Sequence, residues 1–288
     1  MPDRIAVPLT ELAPAKINLT LRIVGRRADR YHELESLVVF ADLADRLTLI
    51  PSPETSLDVR GPFAAACGAT DDNLVLKAVR ALARSVPELK SGQFRLEKNL
   101  PVAAGIGGGS SDAAAALRLL ARANGIALDD KRLADAALAI GADVPVCLDP
   151  RPRIMRGIGE ILSAPLDLPA LPTVLVNPRV PTETRKVFAA FAGMHGSNKP
   201  LGDPPSHDLL AYLQAHGNDL TPAAISSVPV IGQVLDRLSA LPGAQLARMS
   251  GSGSTCFALF RSVDAARQAA EMLKLAQPDW WVQAATLG

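Results

Sequence analysis

The sequence predicts an α+β protein made of two domains. Segments that alternate between polar and apolar residues, as strands do, occur in both halves of the chain, as do segments with apolar residues three and four positions apart, which are typical of helices. A stretch rich in proline and arginine at 149–153 lies between the halves. Because 288 residues suit one large or two ordinary domains, we expect an N-terminal domain over 1–152 and a C-terminal domain over 153–288.

The N-terminal half opens with a predicted strand. Residues 16–23 alternate in polarity, which predicts a half-buried strand with Lys16 and Asn18 on its polar face. A polar turn is expected over 25–30. Runs of β-forming residues predict three more strands, at 37–40, 46–50 and 93–97. Apolar residues at helical spacing predict three helices, at 73–85, 112–124 and 130–140.

The C-terminal half shows the same mixture of patterns. Apolar runs predict strands at 173–177, 256–260 and 281–285. Helical spacing predicts helices at 183–192, 206–214, 230–241 and 265–276. The Gly- and Pro-rich segment 193–206 has no periodicity, so we expect a surface loop there.

The composition argues against several classes of protein. Hydrophobic residues make up 48% of the chain and charged residues 20%, a balance typical of a globular rather than a disordered protein. The net charge of +1 argues against a nucleic-acid-binding protein. Cys67, Cys147 and Cys256 lack the spacing of a disulfide framework or a structural zinc site, which indicates a reducing compartment. With no signal-peptide core and no long apolar span, we expect a soluble cytoplasmic protein.

The most informative segment is a glycine-rich stretch that runs from Pro101 to Asp112. Four of the five residues 105–109 are glycine, which lets the backbone approach a ligand closely. The N–H groups of such a loop and of the helix after it can cradle a phosphate, while Ser110 and Ser111 can cap the helix and donate to phosphate oxygens. The stretch lacks the ending of a Walker loop and the Rossmann glycine spacing. A protein-kinase glycine loop would lead into a strand, and a flexible linker would not lie between a proline and a helix.

Three segments together resemble the GHMP kinases, a family of ATP-dependent small-molecule kinases. They are Ala-Pro-Ala-Lys-Ile-Asn-Leu at 13–19, the glycine loop at 101–112, and Met-Ser-Gly-Ser-Gly-Ser-Thr-Cys-Phe at 249–257. Their order and spacing match the family over nearly the whole chain. The resemblance implies the GHMP kinase fold, with an ATP-binding N-terminal domain similar to a ribosomal protein, a ferredoxin-like C-terminal domain and the active site between them. The sequence departs from the family at Ile106, where leucine is commoner, and at Ser254, where proline is frequent.

The resemblance implies that ATP is the phosphoryl donor and that the glycine loop binds it. The implied loop positions are Pro101, Val102, Ala103, Ala104, Gly105, Ile106, Gly107, Gly108, Gly109, Ser110 and Ser111. Lys98, just before the loop, and Asn73 match further nucleotide-side positions. Mg²⁺ is expected on chemical grounds, because ATP phosphoryl transfer nearly always uses it. The sequence provides no strong protein ligand for the ion; Ser111 is one option.

Lys16 and Asp143 are the catalytic pair that the resemblance implies. Lys16 would be a fixed cation beside the reacting hydroxyl group, and Asp143 the general base that takes its proton. Asp143 lies in Gly-Ala-Asp-Val-Pro, and we expect Pro145 to keep Val144 out of the helical conformation, so that the carboxylate sits in a rigid turn. Without the resemblance, a solvated lysine and a turn-forming aspartate would be the plainer interpretations.

Two further segments, 26–34 and 141–146, are similar to those of family members that act on a cytidine-diphosphate substrate in isoprenoid biosynthesis. The likeness implies that Tyr31 and His32 hold the cytosine, by stacking and by a hydrogen bond to its edge. The full set of implied substrate-side positions is Asn18, Tyr31, His32, Thr184, Phe188, Gly251, Ser252 and Gly253.

Three alternative functions stay open at this point. The chain could be a GHMP-type kinase for homoserine, mevalonate or a sugar, although those substrates have no base for Tyr31 and His32 to hold. It could be a nucleotide-binding module without turnover, although Lys16 and Asp143 are both present. It could bind RNA, which the near-zero net charge disfavours. We expect a small-molecule substrate, no nucleic-acid or membrane partner, and a monomer or weak homodimer.

Overall fold

The structure of the protein is a computed structural model that describes residues 7–27, 32–191, 201–202, 204 and 208–288. Its mixture of strands and helices confirms the predicted α+β class. The strands are β1 (Leu9–Asn18), β2 (Arg22–Arg26), β3 (His32–Pro51), β4 (Ser56–Arg60), β5 (Gly92–Glu97), β6 (Arg153–Gly157), β7 (Ile161–Leu162), β8 (Leu171–Asn177), β9 (Leu246–Met249), β10 (Cys256–Leu259) and β11 (Trp281–Leu287). The helices are α1 (Leu74–Ala83), α2 (Gly108–Asn124), α3 (Lys131–Ile140), α4 (Val144–Leu148), α5 (Thr184–Phe191), α6 (Leu209–Ala215), α7 (Thr221–Ser227), α8 (Val230–Ser239) and α9 (Val263–Ala276).

The chain forms two compact units, and each is made of separate stretches of sequence. The first unit comprises Met1–Ala15, Leu43–Val102 and Gly107–Pro150. The second unit comprises Lys16–Asp42, Ala103–Ile106 and Arg151–Gly288. The chain leaves the first unit for the last time at Pro150. A domain boundary at 152/153 stays a prediction.

The first unit packs four helices beside a small group of strands. The later part of β3 pairs antiparallel with β5, and β4 pairs parallel with β5. Helix α1 packs against α2 and α3, and α4 packs against α2. Asn73 begins α1 as its N-cap, because its side chain accepts a hydrogen bond from Val75 N. Phe94, Leu96 and Leu117 are among the fully buried side chains of this unit.

The second unit is built on an antiparallel sheet. Strand β8 pairs with β11 on one side and with β10 on the other, and β10 also pairs with β9. The early part of β3 pairs with β2 and β6, and Ala41 pairs with Leu287 of β11. Helices α8 and α9 pack against these strands over a core that includes Val174, Val176 and Phe260.

The segment at 16–23 differs from the prediction in two ways. It is not one strand, because β1 ends at Asn18 and β2 begins at Arg22. Nor is it half-buried, because its polar side chains are as buried as the apolar ones. The polar groups are buried because the protein bonds them: Asn18 Nδ2 donates to Ser36 Oγ, and Thr20 Oγ1 accepts from Leu37 N. Periodicity alone cannot distinguish this case from a solvated face.

Other predicted elements agree in kind and differ in extent. The strands predicted at 37–40 and 46–50 are parts of one 20-residue strand, β3. Strands β4, β6, β7 and β9 and helices α4 and α7 were not predicted. The turn predicted at 25–30 is wrong at its start, because β2 continues to Arg26; its residues 28–30 lie outside the described residues. The loop predicted at 193–206 lies largely outside them as well, and within it Leu201 is buried.

The other predicted helices and strands are all present, with ends within a few residues of those expected. Gly125 ends α2 in the left-handed conformation, with φ +64°. Within the described ranges, no helix is both long and apolar enough to cross a bilayer.

Candidate active site

The glycine loop has an alternating backbone conformation. Ala103, Gly105 and Gly107 adopt φ angles of +51°, +75° and +61°, so every second residue lies in the left-handed region. A backbone in which every second φ angle is positive can turn successive N–H groups toward one side, which makes a concave anion-binding nest. For alanine this conformation is strained, and glycine adopts it without strain. The local geometry therefore supports phosphate binding.

Four successive carbonyl groups of the loop, those of residues 103–106, each accept a hydrogen bond within the second unit. The bonds run from Thr182 N to Ala103 O (3.0 Å), from Thr255 N to Ala104 O (3.0 Å), from Ser250 Oγ to Gly105 O (2.9 Å) and from Lys16 N to Ile106 O (2.9 Å). Because a trans peptide is planar, each N–H points opposite to the carbonyl before it. The N–H groups of Ala104, Gly105 and Ile106 therefore point away from these donors. Among the residues that the structure describes, none of the three has an acceptor.

The glycine turn at 249–257 packs directly on the loop. A Cβ atom on Gly105 would lie 2.5 Å from Ser250 O and 2.6 Å from Gly253 O. A Cβ atom on Gly251 would lie 2.7 Å from Gly105 O. Such distances are far below van der Waals contact, so the approach of the two backbones requires glycine at both positions. The Asn218 side chain supports the turn, with Nδ2 donating to Met249 O at 2.9 Å and to Gly251 O at 2.8 Å.

The helix after the loop begins earlier than predicted. Helix α2 starts at Gly108 with Gly107 as its N-cap, so neither Ser110 nor Ser111 caps it, contrary to the expectation. The Ser111 hydroxyl instead donates to Pro14 O at 2.7 Å and also lies 3.4 Å from Cys147 Sγ. Ser111 is 1% exposed, whereas Ser110 is partly exposed. The early start brings the glycines into the first turn of the helix, where free N–H groups and the helix dipole favour an anion.

Lys98 lies in a buried cluster with two carboxylates. Its Nζ donates to Asp45 Oδ2 and to Asp112 Oδ2, both at 2.5 Å, and Lys98 is 2% exposed. Asp45 Oδ1 accepts from the backbone N–H groups of Asn99 and Leu100. The cluster therefore joins β3 to the start of the loop and to α2. An ATP contact of Lys98 stays a prediction.

The carboxylates and burial shift the pKa values in this cluster. Burial lowers the pKa of Lys98, but Asp112 and Asp45 together outweigh it, so that the pKa lies above its ordinary value. For Asp112, burial raises the pKa and exceeds the lowering by Lys98, and Asp45 raises it further, to about 7. One cation with two carboxylates is a net negative group in the interior, which favours proton uptake near neutral pH.

These shifts predict how stability depends on pH. The pKa of Asp112 is higher in the folded than in the unfolded protein, so between about pH 4 and about pH 7 the folded state holds a proton that the unfolded state lacks. The contribution of Asp112 to the free energy of unfolding is thus largest at low pH and is lost as the pH rises through about 7. We expect Asp112→Asn to gain stability relative to wild type as the pH rises from about 4 to about 7 in urea unfolding, with no further gain above that range. Exposed Asp135→Asn is the control, and a wild-type pH slope in Asp112→Asn would contradict the assignment.

Asp143 is the N-cap residue of α4, in the first unit. The expectation that Val144 is non-helical is wrong: Val144 begins α4, and Pro145 lies in its first turn. Proline is accepted there because the N–H that it lacks would have no partner in the helix. The Asp143 side chain does not cap α4. Lys16 is a buried residue of the second unit, so the predicted pairing with Asp143 stays a prediction.

Several predicted substrate-side residues lie together in the second unit. The His32 ring centre is 5.3 Å from that of Phe188 and 5.9 Å from that of Phe191. Phe191 was not among the residues predicted from the sequence. Thr184 Oγ1 lies 2.9 Å from Ser252 Oγ, within hydrogen-bond distance. Burial, with a smaller contribution from Arg26, lowers the pKa of His32 below its ordinary value.

Asn18 and Tyr31 complete the predicted substrate-side set. Asn18 is 3% exposed, and its Oδ1 has no hydrogen-bond partner in the described residues. A buried acceptor without a partner costs free energy, so it is a candidate for contact with a ligand. Tyr31 lies outside the described residues. Ser250 and Asn218 were not among the site residues predicted from the sequence, although Ser250 lies within the glycine turn at 249–257.

Comparisons with known proteins agree with these features. The family model "GHMP kinases N terminal domain" matches residues 73–149, and "GHMP kinases C terminal" matches residues 202–278. A 4-diphosphocytidyl-2-C-methyl-D-erythritol kinase of Rhodopseudomonas palustris is 56% identical over 97% of this chain and 99% of its own length. The kinase of the same name from Nitrobacter hamburgensis is 56% identical over 97% and 95%.

Solved structures give the same result. A crystal structure of 4-(cytidine 5'-diphospho)-2C-methyl-D-erythritol kinase has a TM-score of 0.80 at 35% identity, covering 97% of this chain and 99% of that one. A homoserine kinase of Cytophaga hutchinsonii has a TM-score of 0.69 at 17% identity, covering 99% and 96%, which is a likeness of fold alone. The chain therefore belongs to the GHMP kinase family and, within it, to the group of 4-diphosphocytidyl-2-C-methyl-D-erythritol kinases.

Proposed function

We propose that the protein transfers the γ-phosphoryl group of ATP to the 2-hydroxyl group of 4-diphosphocytidyl-2-C-methyl-D-erythritol, in the non-mevalonate pathway to isoprenoids. The observation that carries this proposal is identity of about 55% over nearly the full length of relatives with that name. The alternative acceptors homoserine and mevalonate have no comparable support, because the solved kinases for them are under 20% identical and share only the fold.

The glycine loop is the part of the chain that we assign to the ATP phosphates. In this alternating backbone, the N–H groups of residues 104–106 have no acceptor in the part of the chain that the structure describes, as an anion nest requires. The first turn of α2 adds further N–H groups and the positive end of the helix dipole. Donors held in place before the reaction need no reorganisation when charge moves toward the leaving ADP.

Lys16 and Asp143 are assigned to the reacting hydroxyl group. Asp143 accepts the hydroxyl proton as the oxygen forms its bond to the γ-phosphorus, and the bond from that phosphorus to the bridging oxygen of ADP breaks. Lys16 supplies a positive charge that stabilises the oxygen as its proton leaves. The proton thus ends on Asp143 and the electron pair of the broken bond ends on ADP.

Magnesium supplies charge neutralisation on the nucleotide phosphates. Among the described residues there is no group of three or more His, Cys, Asp or Glu side chains that could hold a metal ion. The hydroxyl of Ser111, the one option from the sequence, is buried and donates to Pro14 O. We expect the phosphates and water to hold the magnesium ion.

The cytidine is assigned to the group of rings around His32, together with Tyr31. Phe188, which is partly exposed, offers apolar ring surface to the base, and the buried Phe191 packs against His32. The lowered pKa of His32 favours the neutral ring, which has one donor and one acceptor for the edge of an uncharged base. Asn18 Oδ1 is buried and has no partner among the described residues, so it can accept from a substrate hydroxyl group. Thr184 and Ser252 are assigned to the same substrate side.

His32→Ala tests the cytidine assignment. We expect the KM for the cytidyl substrate to rise about tenfold or more, because a contact to a base contributes about 1–3 kcal/mol. The KM for ATP should stay at the wild-type value. His216→Ala is the control, since that ring packs on Tyr212 and bonds to Arg22; it should change neither KM. Equal increases in both KM values of His32→Ala would remove His32 from the cytidine site.

A coupled ADP-release assay with Mg²⁺ and ATP tests the proposed function. The cytidyl substrate, homoserine and mevalonate are supplied in parallel. We expect release with the cytidyl substrate alone. Turnover of homoserine or mevalonate instead would contradict the proposal. ATP binding without release on any substrate would favour the non-catalytic nucleotide-binding module.

A further inference from the structure

We infer that Ser250 is a positioning residue for the phosphate-binding loop. Its hydroxyl group holds the Gly105 carbonyl, which turns the next N–H group, that of Ile106, toward the nucleotide. The inference rests on the proposed function, because its kinetic readout is the turnover of ATP. Ser250 was not among the residues predicted from the sequence, and it acts through the backbone of the loop.

The direction of the hydrogen bond follows from the partners of the Ser250 hydroxyl. Asn18 N donates to Ser250 Oγ at 3.1 Å, so this oxygen is already an acceptor. The hydroxyl hydrogen is then directed to Gly105 O, at 2.9 Å. The backbone groups of Ser250 are also bonded, its N–H to Thr255 O and its carbonyl to Gly253 N, both at 2.9 Å. Since Ser250 is 0% exposed and its polar groups are all used, it does not contact substrate.

The Ser250 hydroxyl differs from the other donors to the loop. Ala103 O, Ala104 O and Ile106 O are held by backbone N–H groups, which persist when a side chain is changed. Of the four successive carbonyls within the described residues, Gly105 O alone is held by a side chain. Its peptide follows a glycine, whose φ and ψ angles are the least restricted. Removal of the hydroxyl therefore frees the Gly105–Ile106 peptide to rotate.

The same oxygen also joins the loop to the first segment of the site. Asn18 N lies two residues after Lys16, whose own N–H bonds to Ile106 O. The side chain of Ser250, in the turn at 249–257, thus links Asn18 to Gly105, and all three residues lie in the second unit. Because the segment that contains Asn18 also carries Lys16, loss of the hydroxyl should lower kcat as well as raise the KM for ATP.

The test compares Ser250→Ala with Ser250→Thr and with a matched control. We expect Ser250→Ala to raise the KM for ATP and to lower kcat, each about tenfold, as for the loss of one buried hydrogen bond. Ser250→Thr keeps the hydroxyl and should stay close to wild type. The control is Thr173→Val, because Thr173 is equally buried and donates to Ala258 O at 2.9 Å, away from the loop. It should lower Tm without a change in KM or kcat.

The outcomes separate the inference from the proposed function. If Ser250→Ala lowers Tm as Thr173→Val does and leaves both kinetic constants unchanged, Ser250 is merely structural and the inference is overturned. Should wild type release no ADP, titration calorimetry with a non-hydrolysable ATP analogue still tests the loop, and unchanged affinity in Ser250→Ala overturns the inference. If Ser250→Ala does not fold, Ser250→Cys, with its weaker donor, replaces it. We expect a smaller increase in the KM for ATP, and a wild-type value would again overturn the inference.

Discussion

Asp143→Asn is expected to lower kcat by about 10²–10⁴-fold, the usual contribution of a positioned general base. Asparagine has nearly the same shape but cannot take the proton of the substrate hydroxyl. Because the chain before α4 should keep its conformation, the KM for ATP and the KM for the cytidyl substrate should stay within a few-fold of wild type. Steady-state kinetics with both substrates, together with Tm, measure these effects.

Asp130→Asn is the matched control for this prediction. Asp130 is the N-cap of α3 in the same unit, and its side chain accepts from Arg132 N. Asparagine caps a helix about as well as aspartate, so this variant should keep both its stability and its kcat. A near-normal kcat in Asp143→Asn would remove Asp143 from the role of base. A large increase in KM with an unchanged kcat would make it a binding residue instead.

Gly105→Ala is expected to lower kcat/KM for ATP by about 10²-fold or more. The residue has φ +75°, and a Cβ atom would lie 2.5 Å and 2.6 Å from two backbone oxygens of the turn at 249–257. Neither oxygen belongs to a flexible side chain, so the loop and the turn must separate. A displacement of about 1 Å in groups that position a reactant costs about 10²-fold in rate. Calorimetry of ATP binding and steady-state kinetics would both register it.

Gly125→Ala separates this effect from simple backbone strain. Gly125 has a similar φ of +64° at the end of α2, but a Cβ atom there would meet nothing within 4 Å. This variant should lose about 1 kcal/mol of stability and keep its kinetic constants. If Gly105→Ala also kept a wild-type KM for ATP, the close packing of loop and turn would not matter to nucleotide binding.

The α+β class and most helices could be predicted because their signals are local. Helical spacing, the N-cap at Asn73 and the glycine at 125 each depend on a few neighbouring residues. Strand β3 could not be delimited in the same way. Its 20 residues pair with different partners along their length, and only tertiary pairing makes them one strand. Strand β4 likewise depends on its parallel pairing with β5.

The candidate site could be predicted where a short sequence pattern indicates a particular backbone conformation. Closely spaced glycines indicate left-handed φ angles and close approach, and the loop has both at Gly105. The role of Ser250 was not predictable, because its hydroxyl bonds to residues about 145 and 232 positions away. The burial of Lys98 between Asp45 and Asp112 also depends on long-range contacts. The prediction for Val144 was wrong because a residue before proline usually avoids the helical conformation, whereas proline is well accepted in the first turn of a helix. In α4 the second preference prevails.

The most direct test of the central claim is phosphorus NMR of a reaction that contains ATP, Mg²⁺ and 4-diphosphocytidyl-2-C-methyl-D-erythritol. We predict a new phosphomonoester signal that grows in equal amount with ADP, while the diphosphate signals of the cytidyl group persist. Because the carbon that bears the 2-oxygen carries a methyl group and no hydrogen, the new phosphorus should show no three-bond coupling to a proton, whereas a phosphomonoester on a neighbouring hydroxyl group would show one. Free inorganic phosphate with ADP and no phosphomonoester would contradict the claim, since it would indicate ATP hydrolysis without transfer to this substrate.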